Sequence, residues 1–149
     1  MKNQIAQYFD SELFYYNHGL TNAEDILKFL TQKMIDLNYV SYTFLASVYK
    51  REQFASTAFF NRYAIPHALD VNALQTKIAY YYSKEPIDWF GEKVNLVLLL
   101  ASKEYDEKFS HIYNTLADIL MDNELFDEMV TSETFEAFID YITTGCIKS

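Results

Sequence analysis

The chain has 149 residues, half of them apolar, with 21 acidic against 12 basic residues and a formal net charge of -9. That length fits one domain spanning residues 1–149, and the apolar half excludes a disordered chain. An acidic domain with no basic run is a poor partner for nucleic-acid phosphates and for an anionic membrane surface. The single cysteine, Cys146, excludes an internal disulfide and a cysteine-rich zinc site. No basic segment followed by an apolar one opens the chain, and the longest apolar run, VNLVLLLA from Val94, is too short to cross a bilayer. A cytoplasmic protein without membrane insertion is the expectation.

In chain order, the first twenty residues contain the piece ELFYY, which suits a short strand. Thr21-Asn22-Ala23-Glu24 reads as a capping box with Thr21 as N-cap. Ile26, Leu27, Leu30, Met34 and Ile35 follow at helical spacing, and the helix should stop near Asn38. A second helix is predicted from Ser41 to Arg51, with Leu45, Val48 and Tyr49 inward. Tyr63-Ala64-Ile65 precedes Pro66, which biases Ile65 to extended backbone. Lys77–Ser83 is rich in strand formers, Ile87–Phe90 reads as a further short strand, and Gly91 marks a turn. Val94–Ala101 has the unbroken apolar character of a central strand covered on both faces. Three helices close the chain. One carries the stripe Phe109, Ile112, Leu116, Ile119 and Leu120; the next has Leu125, Phe126 and Met129; the last has Phe135, Phe138, Ile139 and Ile142. Helices, then strands, then helices, with no Gly- or Ser-rich linker, predict a single-domain α/β/α sandwich.

The chain holds three histidines and two prolines, and Pro66 and His67 stand side by side. His18 lies before Gly19 in a predicted loop and reads as a solvated side chain. His111 has Asn114, Thr115 and Asp118 at i+3, i+4 and i+7, which places it on or beside the polar face of its helix. An imidazole at the end of a strand can serve as an unprotonated nucleophile near neutral pH. Spacing alone nonetheless favours a structural turn histidine at His67, with the nucleophile as its alternative. No HxxxH or HxH pair pre-sets metal ligands.

Several ordered motifs carry a resemblance. Arg51-Glu52, Ser56-Thr57 and Ala64-Ile65-Pro66-His67-Ala68 resemble the phosphorylation-site signature of the fructose/mannitol-type IIA domains of the phosphoenolpyruvate-dependent sugar phosphotransferase system. WFGEKVNLVLLLAS (89–102) is similar to that family's W-x-G-x-x-V stretch and apolar strand. HIYNTLADIL (111–120) is similar to its H-hydrophobic-x-x-L helix, and YFDSELFYYN (8–17) to its usual opening. The resemblance covers nearly the whole chain. It implies a mannitol-type IIA fold with a mixed central sheet. It also implies a phosphotransferase that accepts a phosphoryl group from the carrier protein HPr on Nε2 of His67. The group would pass to a IIB domain, or act as a signal to other domains of a sugar-operon antiterminator or activator. Arg51 and His111 match the family's other site positions, and no metal, nucleotide or other cofactor is implied. The alternative reading is a IIA-like interaction domain that binds without phosphoryl turnover.

Arg51 offers a planar fork suited to phosphate oxygens, and His111 a hydrogen bond to them. A hydrogen bond from Nδ1–H of His67 to a carbonyl would leave Nε2 free. Ser56 and Thr57 either line the site or cap a turn. The chain departs from the family at Phe59-Phe60-Asn61-Arg62, where members often carry glycine. Phe60 or Arg62 should resist the positive φ that glycine permits, so a differently shaped loop, with the charge of Arg62 near the site, is expected.

Overall fold

The longest apolar run becomes the middle of a five-stranded sheet. The computed structural model describes residues 3–70, 73–103 and 107–144; Cys146 lies outside them. The elements are α1 (Asn3–Ala6), β1 (Phe9–Tyr16), α2 (Ala23–Asp36), α3 (Phe44–Phe54), β2 (Ala58–Phe59), β3 (Tyr63–Ala64), β4 (Lys77–Trp89), β5 (Glu92–Ala101), α4 (Glu107–Met121), α5 (Asn123–Met129) and α6 (Phe135–Thr143). The strand order is β1-β4-β5-β3-β2. Pairing is parallel for β1–β4 and β3–β5 and antiparallel for β4–β5 and β2–β3. The sheet is therefore mixed, as the resemblance implied.

Both faces of the central strands are covered, which is why their sequence is continuously apolar. Ile78 and Tyr80 of β4 and Leu96, Leu98 and Leu100 of β5 point to one face, where Ile112, Leu116 and Ile119 of α4, Phe126 of α5 and Phe138 of α6 cover them. Ala79 and Tyr81 of β4 and Val97, Leu99 and Ala101 of β5 point to the other face, against Ile26, Leu27, Leu30 and Met34 of α2 and Phe44 and Val48 of α3. The alternation follows the two-residue period of a pleated strand. Three layers result, as expected of an α/β/α sandwich.

Local departures from the sequence expectations have local causes. The cap of α2 is Asn22, whose side chain accepts from Asp25 N at 2.9 Å and donates to the Asp25 carboxylate at 2.7 Å. Thr21 loses that role because its carbonyl accepts from Asp88 N at 2.8 Å, drawing it to β4. The second helix begins at Phe44 and runs three residues past Arg51. Its buried side chains are Phe44, Ser47 and Val48, with Leu45 and Tyr49 half-buried at the margin. Lys77–Ser83 and Ile87–Phe90 are not separate strands: β4 runs through to Trp89, with its register broken between Tyr82 and Ile87. Pro86 lies in that irregularity, the place where a sheet tolerates a residue without an N–H. Asn95 Nδ2 spans it by donating to the carbonyls of Ser83 and Lys84 at 3.0 and 3.2 Å. Helix α1 and strand β2 had no counterpart in the sequence reading. Of the stripe read on α4, the Phe109 side chain lies outside the described residues; Ile112, Leu116, Ile119 and Leu120 are buried as expected.

Candidate functional site

His67 leaves the sheet just after β3, beside the C-terminal end of β5. Leu100 N donates to Pro66 O at 2.9 Å, and His67 bridges Leu100 in parallel. Ile65 N donates to Thr57 O at 3.1 Å on the opposite side. Beyond the histidine, Leu69 N donates to Ser47 O at 3.1 Å and Asp70 N to Ser47 Oγ at 3.2 Å, which ties the chain to α3. Proline suits position 66 because its fixed φ fits extended backbone. The segment is therefore held from three directions.

The ring itself is half-buried, and Nδ1 lies 3.0 Å from Ile65 O. A carbonyl only accepts, so Nδ1 carries the proton and the neutral ring keeps its lone pair on Nε2. Burial pushes the His67 pKa below its ordinary 6.5; the Ile65 hydrogen bond opposes the shift, the Arg51 charge adds to it, and Glu52 opposes it. A histidine so placed is neutral near pH 7 and presents Nε2 as a nucleophile.

Arg51 and Glu52 occupy the last turn of α3 and act electrostatically on His67. Arg51 Nη1 donates to Ala55 O at 2.9 Å. A guanidinium has five N–H donors, and this bond engages one. Glu52 is more deeply committed. Its carboxylate accepts from Thr57 N at 2.9 Å, Thr57 Oγ1 at 2.6 Å and Trp89 Nε1 at 3.1 Å. Thr57 is buried and therefore neither lines an open site nor caps a simple turn. Ser56 Oγ accepts from Ala58 N at 3.0 Å, an ordinary turn contact.

His111 lies half-buried in α4, next to the buried Ile112, and its carbonyl accepts from Thr115 Oγ1 at 2.8 Å. The side chain of α4 found against the His67 ring is Tyr113, edge-on at 6.5 Å between centroids. The charge of Arg51 thus acts on His67 and Tyr113 of α4 lies against the ring, but no hydrogen bond or ring contact joins Arg51 or His111 to His67 among the described residues. Glu52 and Tyr113 had no role in the sequence reading. The signal for Glu52 was its place beside Arg51 and the presence of one tryptophan far along the chain. No local pattern marked Tyr113.

The Phe59–Arg62 loop corrects an expectation. Phe60 and Asn61 both take positive φ, +58° and +55°, and Arg62 N donates to Phe59 O at 3.0 Å. Two successive left-handed residues thus reverse the chain within the three-residue connection between β2 and β3. The loop keeps the shape that glycine would permit, with Phe60 bearing the steric cost. Nor does Arg62 add a free charge near His67. Its guanidinium pairs with Asp127, donates to Asn123 Oδ1 at 2.9 Å and lies 4.3 Å over the Phe126 ring. Among the described residues no group of three or more His, Cys, Asp or Glu side chains is arranged to hold a metal ion, and no helix is long and apolar enough to cross a membrane.

A family model described as phosphoenolpyruvate-dependent sugar phosphotransferase system, EIIA 2, matches residues 7–145. The chain is 29% identical over 140 residues to the probable licABCH operon regulator of Bacillus subtilis (strain 168), covering 93% of this chain and 22% of that protein. Against the transcriptional regulator ManR of the same organism it spans 18% of the length. It is 23% identical over 135 residues to the mannitol-specific phosphotransferase enzyme IIA component of Staphylococcus aureus (strain Mu50 / ATCC 700699), covering 89% of this chain and 92% of that one. Among solved structures, IIA mannitol from Escherichia coli superposes with a TM-score of 0.74 at 17% identity, covering 89% of this chain and 97% of that chain. The complex of enzyme IIAMTL with phosphorylated enzyme IIBMTL from Escherichia coli gives 0.75 at 14% identity, covering 91% and 98%. The fold is that of the mannitol-type IIA structures.

Proposed function

The chain belongs to the EIIA 2 family of the phosphoenolpyruvate-dependent sugar phosphotransferase system, and from that premise we propose that it is a phosphohistidine carrier whose acceptor is Nε2 of His67. The observation that carries this reading is the Nδ1–H bond to Ile65 O, which leaves the lone pair of a neutral, half-buried ring on Nε2. In the proposed step the Nε2 lone pair attacks the phosphorus of phosphohistidine on HPr. The new N–P bond forms as the old one breaks, and the departing electron pair returns to the HPr imidazole. Such a transfer has a loose transition state with charge on the equatorial oxygens, so positioning and charge stabilisation dominate. Arg51 supplies the charge, and His111 on α4 is assigned a hydrogen bond to the phosphoryl oxygens of the loaded state. No metal or nucleotide enters the step.

The onward acceptor in this reading is a IIB domain, supported by the likeness to a IIA in complex with phosphorylated IIB. The similarity to two regulators favours a second setting, in which the phosphoryl group is a signal inside a longer polypeptide. Both settings require the same first event. The test is transfer of labelled phosphoryl from phosphoenolpyruvate through enzyme I and HPr, with His67→Ala alongside. Acid-labile, alkali-stable label on the wild type and none on the variant is the expected result. An unlabelled wild type with active HPr sinks the reading and leaves a binding domain without turnover.

A further inference from the structure

We propose that Glu52 is the positioning residue of the site, setting the ring of His67 through Thr57 and Ile65; this rests on reading His67 as the acceptor. The path is a series of hydrogen bonds. The Glu52 carboxylate accepts from Trp89 Nε1, Thr57 N and Thr57 Oγ1 at 3.1, 2.9 and 2.6 Å. Thr57 O then accepts from Ile65 N at 3.1 Å, and Ile65 O accepts from His67 Nδ1. A carboxylate only accepts, and its two oxygens hold all three donors at once. The carboxylate thus fixes Thr57, Thr57 holds the N–H of Ile65, and the carbonyl of that same residue fixes both the tautomer and the direction of the imidazole.

The need for such a clamp follows from the strands. Strands β2 and β3 have two residues each, so the ladder between them is minimal. Leu100 N holds Pro66 O from the β5 side. Without Thr57 held in place the N–H of Ile65 loses its tie on the β2 side, and the carbonyl of the same residue is the group that orients His67. Trp89 shows that the clamp is more than a local turn. It is buried at the far end of β4, 37 residues from Glu52. Arg51, one residue away on the same turn, is carried to the site by the same anchored helix end.

The experiment reads the His67 ring and the reaction separately. Long-range 1H–15N correlation on the unphosphorylated protein reports which ring nitrogen holds the proton; labelling by phosphorylated HPr reports transfer. The variants are Glu52→Ala, Glu52→Gln and Thr57→Val. Glutamine keeps an oxygen for Trp89 and Thr57 N, and an amide that donates to Thr57 Oγ1. The expected result is that Glu52→Ala and Thr57→Val mix the two tautomers and slow labelling at saturating HPr by about tenfold, against the roughly hundredfold cost of a 1 Å misplacement, with the half-saturating HPr concentration unchanged. Glu52→Gln keeps the wild-type tautomer and most of the rate. If folded Glu52→Ala and Thr57→Val retain both tautomer and rate, the proposal is overturned. It is also overturned if Glu52→Gln is as impaired as Glu52→Ala, since charge and not the clamp then matters. Should Glu52→Ala fail to fold, Thr57→Val decides, because it leaves the Trp89 bond intact. A wild type that takes no label refutes the acceptor reading alone, and the tautomer measurement still decides the clamp.

Discussion

Two hairpins in this molecule solve the same problem by different means. The β4–β5 hairpin joins strands of 13 and 10 residues, and its ladder carries the register over most of their length. The β2–β3 hairpin joins two strands of two residues and cannot hold itself. It is tied by side chains instead: Thr57 to Glu52 at its entry and Arg62 to Asp127 at its exit. Both turns place a phenylalanine at positive φ, Phe60 at +58° and Phe90 at +49°, but only the longer one follows with a glycine, Gly91 at +97°. The self-supporting hairpin forms the core. The tethered one leads directly into His67. A site residue set by specific polar contacts keeps one ring orientation where a bare loop would not.

The comparison breaks most completely at Trp89, which serves both hairpins. Trp89→Ala empties a fully buried position in β4 and removes the donor to Glu52. Large-to-small changes of this kind cost about 3–5 kcal/mol, and denaturant unfolding should show a loss of that order. Phe60→Gly sharpens the contrast at the tethered turn. A left-handed non-glycine residue costs about 1–2 kcal/mol, and glycine gives back about 0.5–1 kcal/mol in unfolded-chain entropy. Phe60 is 66% exposed, so little burial is lost. Stability should rise by about 0.5–1 kcal/mol, the difference of the mid-range values; a lowered unfolding midpoint would show that the turn is not strained. The finest test is the titration of His67 by NMR. Its pKa is lowered, chiefly by burial, so the folded ring stays neutral below pH 6.5 while the unfolded one protonates. The unfolded state then binds more protons, and the histidine's contribution to stability is present above pH 6.5 and lost as pH falls toward the folded value. Phosphoryl uptake limited by the His67 ring should fall to half at a pH below 6.5 and not at it. A midpoint at or above 6.5 would contradict the burial of the ring.

Much of the sheet was legible in the sequence because covered strands and amphipathic helices have distinct periods. Val94–Ala101 and the helical stripes from Ile26 to Met34 and from Ile112 to Leu120 fell where their patterns put them. The shortest elements left little pattern: α1 and β2 are shorter than any period that could announce them, while β3 was marked only by the proline that follows it. The slide of the cap from Thr21 to Asn22 was equally hidden, because it depends on Asp88 in a strand 67 residues on. At the site, the Ile-Pro-His run was visible and the carbonyl serving Nδ1 was not. Glu52 was named beside Arg51 but had no assigned task, because its three donors lie 5 and 37 residues away. For His111 the pattern gave only a polar helix face, and its proposed part comes from the family.

The tie between Pro66 and Leu100 bears on how a loaded domain would announce itself. Leu100 lies in the strand at the middle of the sheet, with covered faces above and below. A backbone fastened there has little freedom to swing when a group arrives on the neighbouring ring. Under the proposed function, loading adds roughly two negative charges to a chain that already carries -9, at one fixed point of its surface. The message to a partner is then written as electrostatic potential and added bulk at that point, over an unmoved scaffold. Erasing it requires only that the group be handed on.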